Sequence, residues 1–101
     1  MPVSLSARER ASLKGRAHAL EPIVHVGTAG LTDAVVKETD RALTAHELIK
    51  VRIGGSDRDA RATLVAELCA KTDAAAVQSV GKVVVLWRPR PLEDEDSPRR
   101  V

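Results

Sequence analysis

The sequence predicts an α/β fold: a single compact domain, α-β-α-β-α-β-β, with a four-stranded mixed sheet packed with three helices. Three observations carry that reading. Segments with helical hydrophobic spacing alternate with short extended apolar runs. Glycines punctuate the junctions at Gly27–Gly30, Gly54–Gly55 and Gly81. And 101 residues can bury one modest core but hardly two. Strands alternating with helices imply crossovers between neighbouring parallel strands, and the closing hairpin adds one antiparallel strand.

The first helix opens on a capping box, Ser6-Ala7-Arg8-Glu9, and is expected to run to His18 or Leu20. Leu13, Ala17 and Leu20 fall on one side of it. Arg10, Lys14 and His18, spaced by four, form a stripe on another. Pro22 stops the helix, and Ile23–Val26 is a short strand. Gly27-Thr28-Ala29-Gly30 is a turn. Thr32 then caps a second helix, with Leu31 and Val36 as a hydrophobic staple and Val35, Val36, Thr39 and Leu43 giving its period. It should end near Ala45 or His46. Leu48–Ile53 is the clearest strand, with Ile49, Val51 and Ile53 on one face and Leu48, Lys50 and Arg52 on the other. Gly54-Gly55-Ser56 breaks it. A third helix runs from about Asp57 to Thr72, burying Ala60, Leu64, Leu68 and Cys69. Ala76–Val80, Gly81-Lys82 and Val83–Arg88 read as a hairpin. Pro89 and Pro91 close the domain at residue 91, and the charged stretch 92–101 is expected to be a disordered tail.

Composition narrows the function. Residues 1–91 carry 14 Lys and Arg against 10 Asp and Glu, a net +4, while residues 92–101 carry a net −2. A mildly basic body suits a polyanion. Trp87 is the only aromatic residue, so the core must be aliphatic and extensive base stacking on rings is not expected. One cysteine excludes an intramolecular disulfide. No apolar run approaches the roughly 18 residues of a membrane span, and the N-terminus has no signal-peptide pattern. The expectation is therefore a cytoplasmic protein with no membrane attachment.

Enzymatic function is not expected. Cys69 lies on the apolar phase of a helix, as a core residue would. His18, His25 and His46 have no ligand-like spacing, so no metal or other cofactor is implied, and no small-molecule substrate. Asp57 and Asp59 open a helix, where the macrodipole favours negative charge. The suggestive feature is Gly27-Thr28-Ala29-Gly30. It leads straight into a helix N-terminus, where free N–H groups attract phosphate, and a G-x-x-G loop of this kind clamps nucleic-acid backbone in KH domains. It is too short for a P-loop. Lys50 and Arg52 form a basic strip on one strand face. Arg10, Lys14 and His18 on the first helix, with Arg16 nearby, could extend it, and Arg88 is a weaker candidate.

Four blocks of this sequence resemble one known family. They are Leu13-Lys14-Gly15-Arg16-Ala17-His18-Ala19-Leu20-Glu21-Pro22, then Val26-Gly27-Thr28-Ala29-Gly30-Leu31-Thr32, then His46-Glu47-Leu48-Ile49-Lys50-Val51-Arg52-Ile53. The last is Val77-Gln78-Ser79-Val80-Gly81-Lys82 with Leu86-Trp87-Arg88-Pro89. In order and spacing they are similar to the CRM domain, the chloroplast RNA splicing and ribosome maturation family, and to its bacterial stand-alone YhbY-type branch. The resemblance implies a fold similar to the C-terminal domain of bacterial translation initiation factor 3. It implies RNA binding through the loop Gly27, Thr28, Ala29 and Gly30. It further implies association with large-subunit rRNA precursors in a pre-50S particle, in support of ribosome assembly, by a monomer. Many family members carry a basic or amide residue inside the loop; here Thr28 and Ala29 leave contact to main-chain N–H groups, the Thr28 hydroxyl and nearby Lys and Arg. The alternative from another class is a protein-interaction module whose basic surface docks an acidic ribosomal or assembly partner.

Overall fold

The computed structural model describes residues 5–55 and 57–89. The element order is α1 (Ala7–Ala17), β1 (Pro22–Val26), α2 (Asp33–His46), β2 (Leu48–Ile53), α3 (Arg58–Thr72), β3 (Ala75–Val80) and β4 (Val83–Trp87). The expected α/β architecture of three helices and four strands is present. The domain limit at residue 91 and the tail 92–101 lie outside the described residues.

Local chemistry sets the helix starts. The Ser6 hydroxyl accepts from the Glu9 N–H at 3.1 Å while the Glu9 carboxylate accepts from the Ser6 N–H at 2.9 Å, a closed capping box. Thr32 caps α2 by accepting from the Val35 N–H, and Asp57 caps α3 by accepting from Asp59 and Ala60. The staple pair Leu31 and Val36 packs on the core below α2. Two predicted interior positions differ. Leu20 lies beyond the end of α1 and is exposed, as is Ala60 in the first turn of α3.

The sheet order is β1-β2-β4-β3, with β1 and β2 parallel and β4 antiparallel to both β2 and β3. Only one parallel pair is therefore adjacent. The crossover through α3 skips a strand position, and β4 fills the gap. The run Val83-Val84-Val85-Leu86-Trp87 suits that central place, since a strand covered on both faces reads as continuously apolar rather than alternating.

The two faces build separate cores. On one, α2 and α3 cover Val24, Val26, Ile49, Val51, Ile53, Val84 and Leu86. On the other, α1 covers Leu48, Val77 and Val85 through Leu13 and Ala17. A bulge between Ala76 and Gln78 disturbs the β3 ladder, and Arg10 Nη1 donates to the carbonyls of Ala76 and Val77 there, at 2.6 and 3.0 Å. That bond ties α1 to the sheet edge. Buried Thr39 and Thr72 satisfy their hydroxyls on the carbonyls of Val35 and Leu68, one helical turn back.

Leu86 is fully buried in the larger core. Leu86→Ala is expected to lower unfolding free energy by about 3 kcal/mol, measured by urea titration followed by far-UV circular dichroism.

Candidate nucleic-acid interface

Helix α1 covers only part of its face of the sheet. The rest shows Ile23 and His25 on β1, Lys50 and Arg52 on β2, and Val83 on β4. Arg52 sits directly across from His25, two positions before Gly27. Lys50 lies two residues back along the same strand and face, roughly 7 Å away at strand rise. A groove of about 380 Å3 runs between α1 and this open face, lined by Lys14, His18, Lys50 and Gln78 above Val83 and Val85. Lys50 is half-buried, and its ammonium donates to the Leu20 carbonyl at 3.0 Å, which anchors the α1–β1 connection and leaves further N–H donors free.

The glycine loop stands at the end of this cationic line. Gly27, Thr28 and Ala29 are exposed, and no element among the described residues covers them. The Gly30 N–H donates to the Gly27 carbonyl at 3.0 Å, closing a tight turn. Gly30 holds φ +79°, the left-handed region that a side chain resists. Beside this loop runs the one after β2. The Gly54 N–H donates to the Val26 carbonyl at 2.8 Å, and a Cβ on Gly54 would stand 3.1 Å from that same oxygen. A side chain at Gly54 would require the two strand ends to shift apart by a few tenths of an ångström. The third member is the hairpin turn, held by the Ile53 N–H donating to the Lys82 carbonyl at 2.7 Å. Three main-chain turns thus form one rim, and α2 and α3 both begin there, turning their positive dipole ends toward it.

The remaining site candidates fall elsewhere. Arg16 is exposed, but two residues from Lys14 is roughly 200° round the helix, and it does not line the groove. Arg10, in the same stripe as Lys14, is engaged on the β3 bulge. Arg88 lies at the opposite end of the sheet, its N–H bonded to the Glu47 carbonyl. Its guanidinium pairs with the Asp40 carboxylate at 2.6 Å and donates to the Thr72 and Asp40 carbonyls and the Thr44 hydroxyl. It clasps α2 to the end of α3 and is not available to a ligand.

Chemically, this surface offers charge and main-chain donors. Cys69 is buried, and desolvation pushes its thiol up from the ordinary value, away from the nucleophilic thiolate. Among the described residues no cluster of His, Cys, Asp or Glu could hold a metal ion, and no helix is long and apolar enough to cross a membrane.

The CRS1 / YhbY (CRM) domain matches residues 5–88 of the chain. A Haemophilus influenzae protein named "RNA-binding protein" is 40% identical over 97 residues, covering 96% of this chain and 98% of that one. A Pseudomonas aeruginosa protein named "Probable RNA-binding protein" is 39% identical over 94 residues, 93% of this chain and 90% of its own. The solution structure of a hypothetical protein from Staphylococcus aureus superposes with a TM-score of 0.78 at 28% identity, covering 87% of this chain and 92% of that one.

Removing the clasp separates stability from surface charge. Arg88→Met is expected to cost about 2 kcal/mol in urea unfolding while reducing retention on a polyanion column less than Lys50→Gln does.

Proposed function

The chain belongs to the CRS1 / YhbY (CRM) domain family, and we propose that it binds structured RNA without catalysing a reaction. One observation carries this reading: Lys50 and Arg52 share the half-covered sheet face, Lys14 on α1 borders it across the groove, and that face runs into the exposed Gly27–Gly30 turn. The cations neutralise phosphates and release counterions. The turn has no side chain larger than Thr28, so the nucleic-acid backbone can approach main-chain N–H groups at the start of α2. Few groups here can read base edges, so recognition is of shape and backbone more than of sequence. The relatives named as RNA-binding support the ligand class.

Within that class, the partner we propose is large-subunit rRNA precursor in a pre-50S particle. A monomer that holds one rRNA segment in a productive conformation would favour ribosome assembly with no cofactor and no turnover. This finer assignment rests on the family resemblance of the four sequence blocks. One observation favours docking to an acidic protein instead: Ile23 and Val80 flank the cationic strip and are 45% and 61% exposed, as the apolar part of a protein interface would be.

Salt dependence separates the two. RNA affinity should fall steeply from low to moderate salt, with a log–log slope of several units, and Lys50→Gln with Arg52→Gln should make the slope shallower by about 1.4 on single strands. A flat slope combined with tight capture of an acidic protein would favour docking. Thr28→Glu places a negative charge within the turn; it should weaken RNA binding about tenfold with the melting transition unchanged. Full affinity in that folded variant removes the turn from the interface.

A further inference from the structure

A second cationic groove lies on the other face of the sheet, between the first turns of α3 and the β3–β4 hairpin, with a volume of about 410 Å3. Arg58, Arg61 and Lys82 line it, and among the described residues no carboxylate does. The carboxylate of neighbouring Asp57 is turned to the main chain, accepting from the Asp59 and Ala60 N–H groups. The Arg58 and Lys82 side chains are exposed and have no hydrogen-bond or ion-pair partner among the described residues. Three cations around one hollow repel each other and create a local positive field that a polyanion would relieve.

Two bonds fix this groove beside the glycine rim. Arg61 Nη1 donates to the Gly55 carbonyl at 3.2 Å, and the Lys82 carbonyl accepts from Ile53. The decisive residue is Val83, which lines this groove and also the α1-side groove. The two hollows therefore share a wall at the hairpin end, one on each side of the sheet.

We propose that one RNA strand wraps this end of the sheet, with one stretch of phosphates on Lys14, Lys50 and Arg52 and the next on Arg58, Arg61 and Lys82. The inference rests on the RNA reading above and adds a contact on the opposite face. It also specifies the RNA. A double helix is too stiff to turn about so thin an edge, so the wrapped segment is a loop, bulge or single-stranded end.

The test uses fluorescence anisotropy with single-stranded RNA of about 5 and about 15 nucleotides, lengths that bracket one small binding domain. The variant is Arg58→Gln with Lys82→Gln; Arg61 stays, because it holds the Gly55 loop. On the long strand the variant should lose about tenfold in affinity, and its salt slope should be shallower by about 1.4. The short strand, which occupies one face at a time, should lose less than twofold. Both exchanged side chains are exposed, and unchanged circular dichroism keeps folding out of the comparison. Undiminished affinity and slope on the long strand overturn the second contact. Equal losses at both lengths overturn the continuous path. Preference of the parent for polyglutamate over RNA, abolished in the variant, assigns the groove to an acidic protein and overturns the proposal. A parent protein that binds neither RNA nor polyglutamate defeats the underlying RNA reading and this extension with it.

Discussion

From Val84 to Leu86, strand β4 is covered on both faces and paired on both edges, and that confinement positions the sheet around it. Val84 and Leu86 enter the core under α2 and α3, while Val85 and Trp87 enter the core under α1. Its edges hydrogen-bond β2 and β3. A slip of one residue in its register would exchange the two side-chain sets between unlike cores. The II′-like hairpin at Gly81-Lys82 and the Arg88 clasp pin the strand at its two ends. With β4 fixed, the ends of β2 and β3 are fixed too, and so is the rim they carry.

The rim follows from topology. Parallel β1 and β2 end side by side, at Val26 and Ile53, and each must hand the chain to a helix on the same face. Both turns are consequently built at one end of the sheet, and both helix starts face it. Open α/β sheets commonly bind ligands at the carboxyl ends of parallel strands for this reason. Here the turns are rich in glycine and the surroundings in Lys and Arg, which makes the site permissive in shape and selective in charge.

Local signals were legible in the sequence. Ser6 with Glu9, Thr32 and Asp57 marked the helix starts, strict alternation marked β2, and the dipeptide Gly81-Lys82 marked the hairpin. So was the shared face of Lys50 and Arg52, because strand period alone sets it. What could not be read was long-range. Nothing near Leu13 says that α1 covers the face opposite α2 and α3. The place of β4 between β2 and β3 was signalled only by its unbroken apolar run, easily taken for an ordinary return strand. Arg88 looked like another surface cation because its partners, Asp40 and Thr44, stand 48 and 44 positions away. Arg58, Arg61 and Lys82 are likewise scattered along the chain, and each alone resembles a solvated charge. The separation of Arg16 from Lys14 was within reach, since helical angle alone predicts it.

Trp87, the sole aromatic residue, packs in the α1-side core, paired with Leu48 and Ala75 at the end of the sheet away from the glycine rim. Its indole N–H is buried with no acceptor among the described residues. Intrinsic emission from this protein is therefore a gauge of whether α1 is seated. A ligand at the rim would leave the spectrum dark to its arrival, and titrations must carry their fluorophore on the nucleic acid.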